Sequence, residues 1–272
     1  MLPTCEETVA TLRRGDKGQQ VRRLKDYLKG VGMIMTGSDA FDLVTDVGVR
    51  VFQEKIGLEK DGLVGPKTWA ELETGPVLFT KPTHVLKWIA MTPYYPQRDN
   101  EYHPGGTCNV TSLAMVLAYH GVAPADPANQ LEDELFQRLQ KPDAITEFER
   151  SYPSLKKMGY KPRHVHGMLG WLAKERGFGW KFSESTTRQE MSEFGQDVGP
   201  MIISGSFTRA GHIVTMVGQT IVDDLIVHDP WGDWNSGYRD RNGKYRVYNR
   251  EDMEKVLSGR SATRKRTHRI TP

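Results

Sequence analysis

Cysteine is scarce in this 272-residue chain, which has two, Cys5 and Cys108. Two thiols so far apart do not make a disulfide framework. No apolar stretch is long enough to span a bilayer, so stable membrane insertion is not expected. The histidines are scattered. The one close pair, His164 and His166, has no Asp, Cys or His cluster beside it to complete a zinc set, so it reads as surface or core histidines and no metal or other cofactor is expected. Net charge is only +3, and no aromatics are interleaved with the basic residues to stack on bases, which excludes a typical nucleic-acid binder. The opening, Met1-Leu2-Pro3-Thr4-Cys5-Glu6-Glu7, lacks the basic start and apolar run of a secretory signal. Positive charge gathers at the other end, where Arg260, Arg264, Lys265, Arg266 and Arg269 stand without an acidic residue. That end reads as a solvated tail, with anionic envelope polymer as its second reading.

What is present centres on Cys108. It leads a run to Gly121 in which Val110, Leu113, Ala114 and Leu117 share one helical face. Pro104-Gly105-Gly106 is a loop feeding the start of that helix, and Gly121 should end it. A thiol in a first helical turn meets unpaired N–H groups and the positive end of the dipole, which favour the reactive thiolate. A lone cysteine is more often core packing, so partners matter. Gln97 lies upstream. Downstream, His212 opens the β-rich run Gly211–Gly218, and Asp229 closes a second, Leu225-Ile226-Val227-His228. Adjacent antiparallel strands would bring His212 and Asp229 to the thiol as base and orienter. Asp223 and Asp224 are rival carboxylates nearby.

This stretch, about two thirds of the chain, resembles the papain-like C39 peptidases in their broad C39-like branch. The likeness rests on Tyr94-Tyr95-Pro96-Gln97, the Cys108 helix, Gly211-His212-Ile213-Val214 and His228-Asp229-Pro230-Trp231-Gly232. It implies Cys108 as nucleophile, His212 as general base and acid, Asp229 as orienter and Gln97 as oxyanion donor, with no cofactor. The chain departs from the family in its longer Gln97–Cys108 loop and in Asn109, where the family prefers glycine.

Residues 11–73 read as three short helices. Asp16 is placed to cap the first, which carries the stripe Val21, Leu24, Leu28 and Val31. Asp46 opens a second with Val47, Val51 and Phe52; Pro66 starts a third, with Trp69 and Leu72 facing inward. Asp39-Ala40-Phe41 running to Thr45 echoes Asp61-Gly62-Leu63 running to Thr68. The segment resembles the three-helix peptidoglycan-binding domain, from which it departs at Ala40, Asp42 and Gly48, and Trp69 and Phe52 read as core.

The resulting fold class is α+β: a three-helix domain over 1–75, a proline-punctuated linker over 76–92, and a papain-like domain over 93–272 in which helices pack on an antiparallel sheet. Together the resemblances imply a phage endolysin, monomeric, with bacterial peptidoglycan as partner. It would wait in the host cytoplasm until a holin opens the membrane. The alternatives are a non-catalytic wall-binding or virion component, or a thiol protease acting on a protein.

Overall fold

The computed structural model describes residues 11–30, 35, 37–73, 86–220, 223–258 and 266–272. Cys5 and Val31 lie outside them. The chain divides into two compact units, Met1–Lys87 with Thr220–Val222, and Trp88–Gln219 with Asp223–Pro272.

The first unit carries α1 (Gln19–Gly30), α2 (Leu43–Lys55) and α3 (Pro66–Glu73). Val21, Leu24 and Leu28 are buried with Val47, Val51, Phe52, Trp69 and Leu72, as the stripe predicts. Two boundaries differ from expectation. Asp42, not Asp46, caps α2, its Oδ1 accepting from Thr45 N at 2.9 Å while Oδ2 meets the buried Lys25 Nζ at 3.2 Å. Asp46 instead pairs with Arg50 one turn on. Asp16 accepts from Arg13 N at 2.8 Å and so closes the preceding turn rather than capping α1. The echoed loops are both pinned to that turn: Gly15 N donates to Phe41 O and Leu12 N to Val64 O. Gly62 sits at φ +75°, where an added Cβ would strike the Asp46 and Arg50 side chains.

β1 (Leu86–Ile89) crosses the boundary between the units and falls within the stretch expected to be linker. Seven strands are found among the described residues. They are β1, β2 (Gly179–Ser183), β3 (Met201–Gly205), β4 (His212–Thr220), β5 (Leu225–His228), β6 (Arg246–Tyr248) and β7 (Arg266–Thr271). Six run in the order β2-β7-β3-β4-β5-β6, each pair antiparallel, and β1 pairs with β4 off this path. The C-terminal residues 266–271 are therefore an internal strand, not a solvated tail, with Thr267, His268 and Ile270 buried.

Side chains of β3 alternate between two cores, as a strand's period of two requires. Ile202 joins the core formed with α4 (Cys108–Tyr119), α5 (Leu131–Arg138), α6 (Pro142–Ser151), with α7 (Pro153–Lys157) following, and α8 (His166–Glu175). Met201 and Ile203 join the opposite core, built with α9 (Arg188–Val198) and α10 (Arg250–Ser258). The sheet is thus covered on both faces, one layer more than the sequence suggests. Every residue of α4 from Val110 to Leu117 is buried, so the helix that carries the thiol is a core element. Each leucine buried there contributes roughly 2 kcal/mol. His120 caps α4, and Gly121 follows at φ +88°.

Candidate active site

Cys108 is the first residue of α4, and no side chain caps that turn through its N-cap residue, Thr107. β4 begins at His212, and Asp229 follows directly on β5, so the antiparallel β4–β5 pair brings the imidazole and carboxylate together. His212 Nε2 and Asp229 Oδ1 are 2.7 Å apart, both buried. Cys108 is close enough to the same ring to favour its charged form. Burial disfavours the charged imidazole, but the buried Asp229 carboxylate, its hydrogen bond and Cys108 outweigh that and hold the His212 pKa up at about 10.

The Asp229 carboxylate is fully buried and well supplied with donors. Oδ1 also accepts from Trp231 N at 2.9 Å, an Asx turn across Pro230. Oδ2 accepts from Tyr248 OH at 2.8 Å and from Tyr238 OH at 3.5 Å. Burial and the adjacent carboxylate push both phenols well above the ordinary tyrosine value, so they stay protonated as donors. These tyrosines and the turn hold the carboxylate that holds the imidazole. Close packing continues at Gly243, where an added Cβ would strike the Asp229 carbonyl oxygen. Arg98 clamps the same turn, with Nε donating to Trp231 O at 2.7 Å and the guanidinium 3.6 Å from that ring's centroid.

Gln97 is buried in a short 3-10 turn registered to this region, its N–H donating to Pro230 O at 2.9 Å. Its Nε2 donates to Pro104 O at 2.8 Å, which leaves the second amide hydrogen for another acceptor. Gln97, Cys108 and His212 all line one cleft of about 1000 Å³. The long loop between Gln97 and Cys108 is tied down. Asp133 accepts from Glu101 N and Tyr102 N, while Asn100 Nδ2 reaches Thr107 and Thr111 hydroxyls at 2.9 and 3.0 Å. Asn100 is thereby committed to the loop.

The rival carboxylates accept hydrogen bonds elsewhere. Asp224 accepts from Arg250 N at the start of α10, and Asp223 accepts from Gln219 Nε2 at 3.0 Å. His228 faces Pro93 O, and burial pushes its pKa down to about 3. Among the described residues no group of three or more His, Cys, Asp or Glu side chains could hold a metal ion. His166, which the sequence reads only as a surface or core histidine, lines the cleft and meets His268 Nε2 through Nδ1 at 2.7 Å.

Residues 89–256, more than half of the chain, match the model of the Peptidase_C39 like family. Residues 17–72 match that of a peptidoglycan binding domain. No curated protein matches the chain.

Proposed function

The chain belongs to the Peptidase_C39 like family and carries a peptidoglycan-binding domain, and from that premise of a cell-wall peptidase we propose that it cleaves a peptide bond of the stem or cross-bridge by thiol acyl transfer. The observation that carries this reading is the contact chain Cys108–His212–Asp229, with the His212–Asp229 bond at 2.7 Å. A degenerate, non-catalytic domain would have no reason to keep a buried imidazole between a thiol and a carboxylate. Cys108 and His212 act as a thiolate–imidazolium pair. The sulfur attacks the peptide carbonyl, and the second Gln97 amide hydrogen with the Cys108 N–H receives the oxyanion. His212 then protonates the leaving amine, and water resolves the thioester. The peptidoglycan-binding domain, over about residues 1–75, anchors the enzyme to the wall, and the role that joins these parts is that of an endolysin released by a holin.

Two outcomes test the chemistry. The imidazolium is kept to about pH 10, so kcat/KM on a soluble wall peptide should hold across neutral pH and fall along an alkaline limb near 10. Asp229→Asn removes the largest influence that raises the value, while Cys108 still raises it and burial still lowers it. The limb should therefore move down by about one unit or more. A limb unmoved in that variant contradicts the pairing. The same shift bears on stability: the folded value lies above the unfolded one, so the contribution is complete below about 6.5 and is lost as pH rises through about 10. Gln97→Ala should lower kcat by about 10²-fold to 10³-fold with KM little changed, as for a donor used mainly in the transition state. An unchanged kcat would assign the oxyanion to other donors.

A further inference from the structure

Three arginines, Arg163, Arg209 and Arg266, line the cleft around Cys108, and among the described residues no aspartate or glutamate does. Acidic residues are nearly as numerous as basic ones in the whole chain, 34 against 37, so this exclusion is local. The arginines come from separate segments: the 3-10 turn Pro162–His164, the loop between β3 and β4, and the first residue of β7. Arg266 meets Glu184 at 3.4 Å, with both side chains well exposed, a pairing that solvent weakens. Arg163 and Arg209 have no carboxylate partner among the described residues, and the Arg163 Nε is buried without a hydrogen bond. Asn109, next to the thiol, donates Nδ2 to Arg163 O at 2.6 Å. That bond ties the Arg163 turn to the first turn of α4.

A neutral donor stands in the same wall. An indole N–H only donates, so the 3.2 Å bond from Trp180 Nε1 makes His268 Nδ1 an acceptor. Burial pushes the His268 pKa down to about 3, so the ring is neutral and carries its proton on Nε2. It therefore donates to His166 Nδ1 at 2.7 Å. Burial lowers His166 as well, so its own proton sits on Nε2. The aromatic stack with Phe182 and His268 fixes the ring.

Resting on the reading of this cleft as the place of wall-peptide cleavage, we propose that it selects peptides whose carboxylates beside the scissile bond are free. Arg163 and Arg209 bind those carboxylates, and the His166 Nε2–H adds a neutral hydrogen bond. Guanidinium forks suit carboxylates, and the absence of acidic lining leaves them available to a ligand. Stem peptides of peptidoglycan carry such carboxylates when not amidated.

Binding to the full-length Cys108→Ala protein tests this with two fluorescent stem tetrapeptides, one with free carboxylates and one with the same groups amidated. The free form should bind at least about tenfold more tightly. Arg163→Gln/Arg209→Gln should erase the difference, which also places it in the cleft rather than in the wall-binding domain. Arg209 is exposed, so Arg209→Gln alone should keep the fold and reduce the preference should the double variant fail to fold. Equal affinity for the two probes, no binding of either, or a preference that survives substitution of the arginines would overturn the proposal. Wild-type cleavage separates the two readings. Preference for the free probe with neither peptide cut would sink the wall-peptidase reading alone; both cut with equal kcat/KM would sink the selectivity alone.

Discussion

Cys108→Ala is expected to remain folded and to sediment with sacculi while its hydrolysis of soluble wall peptides falls by about 10⁴-fold or more. No neighbouring group can replace the sulfur as nucleophile. Cys108 is only half-buried at the edge of the α4 core, so removing its sulfur should cost about 1 kcal/mol of stability or less. A thermal melt beside the rate measurement separates the two effects. Cys5→Ala is the matched control and should leave the rate unchanged. Hydrolysis retained in Cys108→Ala, or lost in Cys5→Ala, would move the nucleophile.

His212→Ala should be nearly as damaging, also about 10⁴-fold in kcat, because the thiol loses its base and the leaving amine its acid. The fold should survive, since Asp229 keeps the Trp231 N–H and the Tyr248 hydroxyl. Asp229→Ala should reverse the balance. Its rate should fall less, because the carboxylate orients and charges the ring without touching substrate. Its melting temperature should fall more, because His212, Tyr248 and the Trp231 N–H lose one shared buried acceptor. A variant set in which Asp223→Ala or Asp224→Ala is the more damaging to rate would displace Asp229 from this role.

The candidate site is legible where its residues stand in short runs. Cys108 announces itself by opening an apolar helix, and His212 and Asp229 by their places at the ends of β-rich runs that then pair. Gln97 was found through the Tyr-Tyr-Pro-Gln run, while its anchorage to Pro104 and Pro230 depends on how loops fold back. Tyr238 and Tyr248 carry no local mark. They reach Asp229 only because β5 pairs with β6 and the intervening loop turns back. His166 gains meaning from His268, 102 residues on, which no spacing reveals.

The fold follows the same division. The three helices near the N-terminus were read from periodicity, but the start of α2 moved because Asp42 outcompetes Asp46 as a cap. β7 was hidden by charge. The basic residues at 264–266 mask the strand that follows, in which Thr267, His268 and Ile270 are buried between two covered faces. An internal strand at the end of the chain is a matter of tertiary pairing with β2 and β3, and composition alone reads it as a tail.

The most direct test of thiol-dependent wall cleavage compares purified sacculi digested by the wild-type protein and by Cys108→Ala. New amine ends and new reducing sugars are counted, and the products are identified by mass spectrometry. The account predicts new amine ends with wild type, none with Cys108→Ala, and no new reducing sugars with either. New reducing sugars, no products at all, or amine ends released equally by both proteins would contradict it.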